Sequence, residues 1–320
     1  MRRAATLVLA AAVVAAPWLV AVVVPRQQRY LLHVLIFTAL FATLALSYDL
    51  VVGHVGSLSL AHPAFFGVGA YAAAILATRA HWPFLADLLA AALAAAVVAA
   101  LVGVPLFRLT EHAFAVGTLG LALVAGIVAN NWVEVTRGPL CITGIPKPVL
   151  GLPGGPMVAI TTLPGYYWLA LAALVAVALL YRRLTTFRLG RAFHAVRDNE
   201  PLAGAAGIDP LRYRMLAFTI GAALAGVGAL YVHYLSVMCP EEMTVALTVN
   251  LLVIVFLGGV GSLRGVLLGA VLFTALPEVL RLAPTWRLVI YGALLLLVVV
   301  RSPEGIESLL RRVSGARAGR

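Results

Sequence analysis

The sequence predicts an all-α polytopic membrane protein of about ten transmembrane helices, with N- and C-termini both cytoplasmic. Three observations carry that expectation. Of the 320 residues, 63% are hydrophobic and 11% charged, against roughly 25% charged in soluble domains. Apolar runs of about 20 residues, the length that crosses the hydrocarbon core, recur along the chain. The net charge of +11 rests on arginines that flank those runs, and arginine between spans marks the cytoplasmic side. The charge therefore reads as topology in a lipid bilayer, and not as a nucleic-acid-binding face.

The apolar stretch Ala4 to Val24 exceeds a signal-peptide core of about 7–15 residues, so it reads as a first span. The following spans are expected over Tyr30 to Val52, Ala61 to Thr78, Leu85 to Phe107 and Ala113 to Asn131. A loop over 132–164, dense in Pro and Gly, favours turns over helix and falls outside. Further spans are expected over Tyr166 to Tyr181, Met215 to Met238, Thr244 to Leu257, Val266 to Leu280 and Leu288 to Val300. Simple alternation then puts Arg2 and Arg3, the loop 182–214 and the tail 301–320 in the cytoplasm. The whole chain, 1–320, forms one transmembrane domain; eight or nine spans are alternatives, because several runs are interrupted.

Two interruptions are Gly-rich and share the string VGSL. One runs from Gly53 through Gly56, Ser57, Ser59 and His62 to Pro63; the other holds Gly258, Gly259, Gly261, Ser262 and Gly265. Paired broken segments point to a transport pathway, since non-helical backbone at membrane depth must be buried in protein or line a cavity. Asp49, late in the second span, joins these candidates as an intramembrane ionisable residue. Gly261, Gly265 and Gly269 fall every fourth residue, a spacing that suits plain helix packing more than direct pathway lining. Cys141 and Cys239 lack metal-ligand spacing. Both are expected near the outer face, which leaves a disulfide open. The sequence has no phosphate-binding G-x-x-x-x-G-K-[ST] loop and no hydrolase motif. No bound metal or cofactor is expected, and an embedded enzyme is disfavoured. An ion-driven carrier or a stand-alone channel stays as the rival transporter class, weakened by the lack of acids at span centres.

The loop 182–214 carries seven arginines, among them Arg197, Arg212 and Arg214. Asn199-Glu200-Pro201 signals a helix start with Pro at the first helical position and a polar residue before it, and Gly207 a left-handed stop. The short helix between them reads either as part of a solvated connector or as a docking element for a cytoplasmic partner.

GHVGSLSLAHPAFFGVGAYAAAIL, TRGPLCITGIP, FRLGRAFHAVRDNEPLAGAAGIDPLRYRMLAF, FLGGVGSLRGVLLGA and RSPEGI follow in order along the chain. Together they resemble LivM-type permease subunits of branched-chain amino acid ABC importers. Ser57, Ala61 and Pro63 depart from that family's usual residues. The resemblance implies a type II ABC importer-like permease with broken helices, forming half of a pathway for branched-chain or hydrophobic amino acids. Urea or a short amide is the alternative cargo. It implies a coupling helix at Pro201 to Ala206, with Arg197, Asp198, Glu200, Ala203, Gly204 and Gly207 at the contact with an ATPase. It further implies a LivH-type second permease subunit, two ATP-binding subunits that hold ATP and Mg, and a periplasmic or extracellular binding protein. The location implied is a bacterial or archaeal plasma membrane.

Overall fold

The computed structural model describes residues 14–23, 25–150, 158–279, 292 and 305–307. The first expected span is therefore described only from residue 14. The tenth span, Leu288 to Val300, and the tail from 301 lie outside the described residues apart from Gly292 and 305–307.

Among the described residues, six helical runs are long and apolar enough to cross a membrane: Pro25–His54, His62–Ala80, Phe84–Leu106, Glu111–Asn131, Leu163–Thr186 and Pro210–Leu235. Two shorter apolar helices, Val245–Gly258 and Leu263–Ala275, follow. We label the helices α1 (Ala16–Val23), α2 (Gln28–Asp49), α3 (His62–Ile75), α4 (Phe84–Leu106), α5 (Glu111–Asn131), α6 (Val133–Thr136) and α7 (Leu163–Thr186). Then come α8 (Arg188–Asp198), α9 (Glu200–Ala205), α10 (Pro210–Gly226), α11 (Ala229–Leu235), α12 (Val245–Gly258) and α13 (Leu263–Val279).

Helix α2 is the centre of the bundle. Its second half, from Ala42 to Asp49, is buried at every position, and it packs against α7, α10, α12 and α13. A helix apolar all round belongs in such a place. Helix α4 shows the opposite pattern. Ala91, Ala95, Ala99 and Gly103 recur every fourth residue and are buried, whereas Leu85, Leu89, Leu93 and Leu101 are exposed. The small stripe lets α10 approach closely, and the leucines are left for lipid tails, which are as apolar as they are. Lipid supplies no hydrophobic drive between helices, so close packing of small residues carries that contact.

Where it is described, the loop 132–164 is more ordered than a run of turns. It holds α6, one short antiparallel ladder and one strand of a second. Ile142–Thr143 (β1) pairs with Val237–Met238 (β4), and Val149–Leu150 (β2) pairs with Val158–Ala159 (β3). Cys141 and Cys239 form a disulfide beside the first ladder, with Cα atoms 4.5 Å apart. It ties the loop 132–164 to the segment just after α11. The expected seventh span is one run divided in two, since α10 ends at Gly226 and α11 begins at Ala229.

Candidate functional site

The two Gly-rich interruptions meet at the end of α2. Asp49 is fully buried. Its Oδ1 accepts the backbone N–H of Gly261 at 2.8 Å, and its Oδ2 accepts the Tyr181 hydroxyl. Tyr181 closes the last full turns of α7, and its oxygen also contacts His54 Nε2 at 2.7 Å. His54 Nδ1 in turn lies 3.2 Å from His194 Nε2 on α8. A buried carboxylate is tolerable only when its lone pairs are satisfied; here the donors come from two elements far apart in sequence.

The local backbone makes this meeting feasible. After Asp49 the chain widens into a π-helical turn over Leu50–His54, a distortion common at functional positions. A Cβ on Gly53 would sit 2.6 Å from the Gly261 nitrogen and against Asp49 Oδ1. Gly261 itself has φ +75°, a conformation open to glycine and costly for other residues. The pair therefore has to be glycine for the two breaks to touch.

Beyond the turn, residues 56–61 are not helical. Their backbone groups are met by neighbouring side chains: Thr118 Oγ1 accepts from Leu60 N at 2.9 Å, and Thr248 Oγ1 donates to Leu60 O at 3.2 Å. Ser57 N reaches back to Val51 O at 3.2 Å. Ser59 Oγ accepts from Ala61 N at 3.3 Å, and His62 Nε2 contacts Ser47 Oγ at 2.8 Å. These bonds satisfy part of the irregular backbone, as a buried break requires.

The loop 182–214 plugs into the same node. Helix α8 turns Gly190, Ala192, Phe193 and Val196 inward. Phe193 and Val196 share one apolar cluster with Leu50 and Val55 of the first break, Ala203 of α9 and Ala217 of α10. Arg197, near the C-terminal end of α8, donates from Nη1 to the Gly53 carbonyl. Its aliphatic stem lies against Gly56, 3.0 Å from where a Cβ would stand. Arg197 and Arg214 line a small cavity of about 100 Å³ with Gly56, Ser57 and Glu111.

Helix α9 begins one residue earlier than the sequence suggested. Asn199 is its N-cap, accepting from Leu202 N at 3.0 Å, so Glu200 takes the first helical position and Pro201 the second. Gly207, at φ +82°, closes it, and Ile208 N bonds back to Ala203 O at 2.9 Å, the six-to-one closure of a Schellman motif. Glu200 forms a two-pronged ion pair with Arg214 at 3.0 and 2.9 Å. Ala203 alone is buried. Leu202 is 66% exposed, and a Cβ on Gly204 would meet nothing within 4 Å. The helix is anchored on one side and open on the other. Asp198 is exposed at the end of α8.

The remaining expected residues separate into two groups. Gly261 and Ser262 sit in the second break, and Ser262 Oγ accepts from Gly265 N at 3.1 Å. Gly261 precedes α13, so it does not share a helix face with Gly265 and Gly269, as their spacing suggested. Gly258, Gly265 and Gly269 instead form the close crossing of α12 on α13, where a Cβ on Gly265 would lie 2.6 Å from Gly258 O. Gly259 lies against Gly305, whose Cβ would fall 2.5 Å from the Gly259 Cα. Sequence reasoning missed Tyr181, His194 and the whole of α8. The alternation of Arg188, Arg191 and Arg197 with Phe193 and Val196 at helical spacing was the available signal for α8.

The family described as "Branched-chain amino acid transport system / permease component" matches residues 30–299. The permease protein LivM of Escherichia coli (strain K12), named for high-affinity branched-chain amino acid transport, is 32% identical over 296 residues. That match covers 86% of this chain and 69% of LivM. The LivH permease of the same organism is 26% identical over 284 residues, covering 83% of this chain and 90% of LivH. The LsrC permease of an autoinducer 2 import system from Klebsiella pneumoniae is 31% identical over 215 residues, covering 64% of this chain and 58% of LsrC. No solved structure matches. With 270 consecutive residues under one family description, a bundle of apolar helices and a node where two broken segments meet helix α8, this chain is a multi-pass membrane protein that belongs to the permease components of branched-chain amino acid transport systems.

Proposed function

We propose that this chain forms half of the translocation pathway of an ATP-driven importer for branched-chain amino acids. It pairs with a LivH-type permease subunit in a bacterial plasma membrane. Two separate ATPase subunits bind ATP and Mg, and a binding protein delivers cargo from outside. Helix α9 docks in a groove of the ATPase through Leu202, Gly204 and the residues around Gly207. Arg197, Asp198, Glu200, Pro201 and Ala203 set its position.

The observation that carries this reading is the bond from Arg197 to the Gly53 carbonyl. It links the docking segment to the first break, and Asp49 links that break to the second. Displacement of α9 by a closing ATPase would thus be felt at Gly53 and Gly261 together. Two discrete arrangements of such a node would open the pathway to one side and then the other. The residues at that node that face the pathway are Asp49, Gly56, Ser57, Ser59, His62 and the Gly258–Ser262 segment.

The test is uptake by proteoliposomes holding this chain with its partner subunits and binding protein. ATP-dependent accumulation of leucine, isoleucine or valine is expected. Calorimetry of the binding protein against the same three amino acids and urea assigns the cargo, and a preference for urea would redirect it to short amides. Uptake that persists without ATP and without the ATPase subunits would overturn the importer reading in favour of a channel or ion-coupled carrier.

A further inference from the structure

Asp49 on α2, Tyr181 on α7, His54 in the π-helical turn and His194 on α8 form one unbroken hydrogen-bonded file. Its inner end, Asp49, is 0% exposed. Its outer end, His194, is partly exposed. His194 Nδ1 makes no hydrogen bond among the described residues and is not shut off from solvent. The file therefore runs from the protein interior to the surface at the loop 182–214.

The sense of each bond follows from the carboxylate. Tyr181 has one hydroxyl proton and donates it to Asp49 Oδ2. Its oxygen can then only accept from His54, so Nε2, 2.7 Å away, carries the His54 proton. Neutral His54 keeps a lone pair at Nδ1, which accepts from His194 Nε2 at 3.2 Å. Neutral His194 in turn keeps its own lone pair at Nδ1, on the solvent side. Every donor points inward to Asp49, and every intermediate group can both take and give a proton. Holding Asp49 in place needs Tyr181 alone; two imidazoles beyond it add nothing to that task. The charged groups that face the file are Arg197, which acts on Asp49 and His54, and Glu307, which acts on Tyr181. The Gly261 N–H from the second break binds the other Asp49 oxygen.

We propose that this file is a proton wire, through which Asp49 takes up and releases a proton at the surface of α8. A proton from water binds His194 Nδ1. The His194 Nε2 proton passes to His54 Nδ1, the His54 Nε2 proton to the Tyr181 oxygen, and the Tyr181 hydroxyl proton to Asp49 Oδ2. One proton enters and one carboxylate becomes a carboxylic acid. Both imidazoles and the phenol end neutral, with their hydrogen bonds reversed. Asp49 is then a neutral acceptor for Gly261, and a hydrogen bond between neutral groups is roughly half as strong as one to an ion. Acid at His194 thus loosens the junction of the two breaks. The wire rests on the geometry of the node and not on the importer reading.

The test steps the full chain, in lipid nanodiscs, from about pH 8 to about pH 5, the interval over which histidine ordinarily charges. Time-resolved infrared difference spectra follow the formation of carboxylic acid. A band that is missing from Asp49→Asn is expected to rise after the step. His194→Ala, at a partly exposed position, should slow that rise at least fivefold, leave its final height unchanged, and recover its rate when imidazole is added to the buffer. If Asp49→Asn does not fold, Tyr181→Phe, which keeps the ring and interrupts the file, assigns the band by slowing its rise at least fivefold. The proposal is overturned by the absence of such a band, by a band that persists in Asp49→Asn or rises at its normal rate in Tyr181→Phe, by a slowing of less than fivefold in His194→Ala, or by a slowing that imidazole leaves in place. The measurement involves no transport, so its outcome is separate from that of the uptake assay.

Discussion

Asp49 accepts hydrogen bonds from Tyr181 and from the Gly261 backbone on different oxygens, and an asparagine can return only one of them. Its amide nitrogen would face a donor. Hydrogen bonds to a charged group are worth about 1.5–3 kcal/mol each, so Asp49→Asn should lower the denaturation midpoint of the purified subunit and reduce uptake at least tenfold. Thermal scans and proteoliposome uptake check the two effects. The glycines at the node allow a sharper contrast. A Cβ at Gly53 runs into Asp49 and the Gly261 nitrogen, whereas one at Gly204 meets nothing within 4 Å. Gly53→Ala is expected to destabilise the subunit by about 1–3 kcal/mol, the usual cost of forcing extra atoms into a packed site. Gly204→Trp should leave its melting temperature within about 2 °C while abolishing ATP-dependent uptake. An unchanged uptake rate for Gly204→Trp would remove α9 as the docking element. Asp49 and both Gly-rich strings were visible in the sequence, because an acid or a glycine cluster stands out against Ala, Leu and Val. Tyr181 and His194 were not, since a Tyr at a span end and a His among arginines carry no period or motif, and only the fold brings them to Asp49.

At the scale of elements, the disulfide and the loop helices behave differently. Cys141 and Cys239 enclose a separation of 98 residues, and a cross-link over a loop of about 100 residues is worth up to about 4–5 kcal/mol through the unfolded chain. Reduction, or Cys141→Ser, should lower the melting temperature of the protein by several degrees. Alkylation of the native protein with and without reductant, read by mass spectrometry, checks that both thiols are occupied. The pairing could not be read from the sequence, because two cysteines 98 residues apart meet only through the β1–β4 ladder. The short helix α9 was legible because its cap, proline and closing glycine are local chemistry. Helix α8 was passed over for the opposite reason: its stability comes from Phe193 and Val196 packing under the first break, a tertiary contact with weak local markers. Among the described residues, span positions came through best, as about 20 apolar residues in a row leave few alternatives, and their ends shifted by a few residues where the helices ran on past the apolar core.

For the molecule as a whole, the arginine bias predicts an orientation that labelling can test. A single cysteine substituted for Arg188, on the exposed face of α8 in a Cys141→Ser/Cys239→Ser background, should be labelled by a membrane-impermeant maleimide only after the membrane is opened from the cytoplasmic side. Labelling in intact cells would reverse the topology and take the docking helix with it. The claim on which the importer reading turns is narrower: the push delivered to α9 reaches the broken helices through Arg197 and the Gly53 carbonyl. The direct measurement is the number of leucine molecules imported per ATP hydrolysed by the complete reconstituted importer, with Arg197→Ala beside the unmodified protein. A fall of at least tenfold in that ratio is expected, with the complex still assembled. An Arg197→Ala importer that moves as much leucine per ATP as the original would show that the connection between docking helix and pathway runs elsewhere.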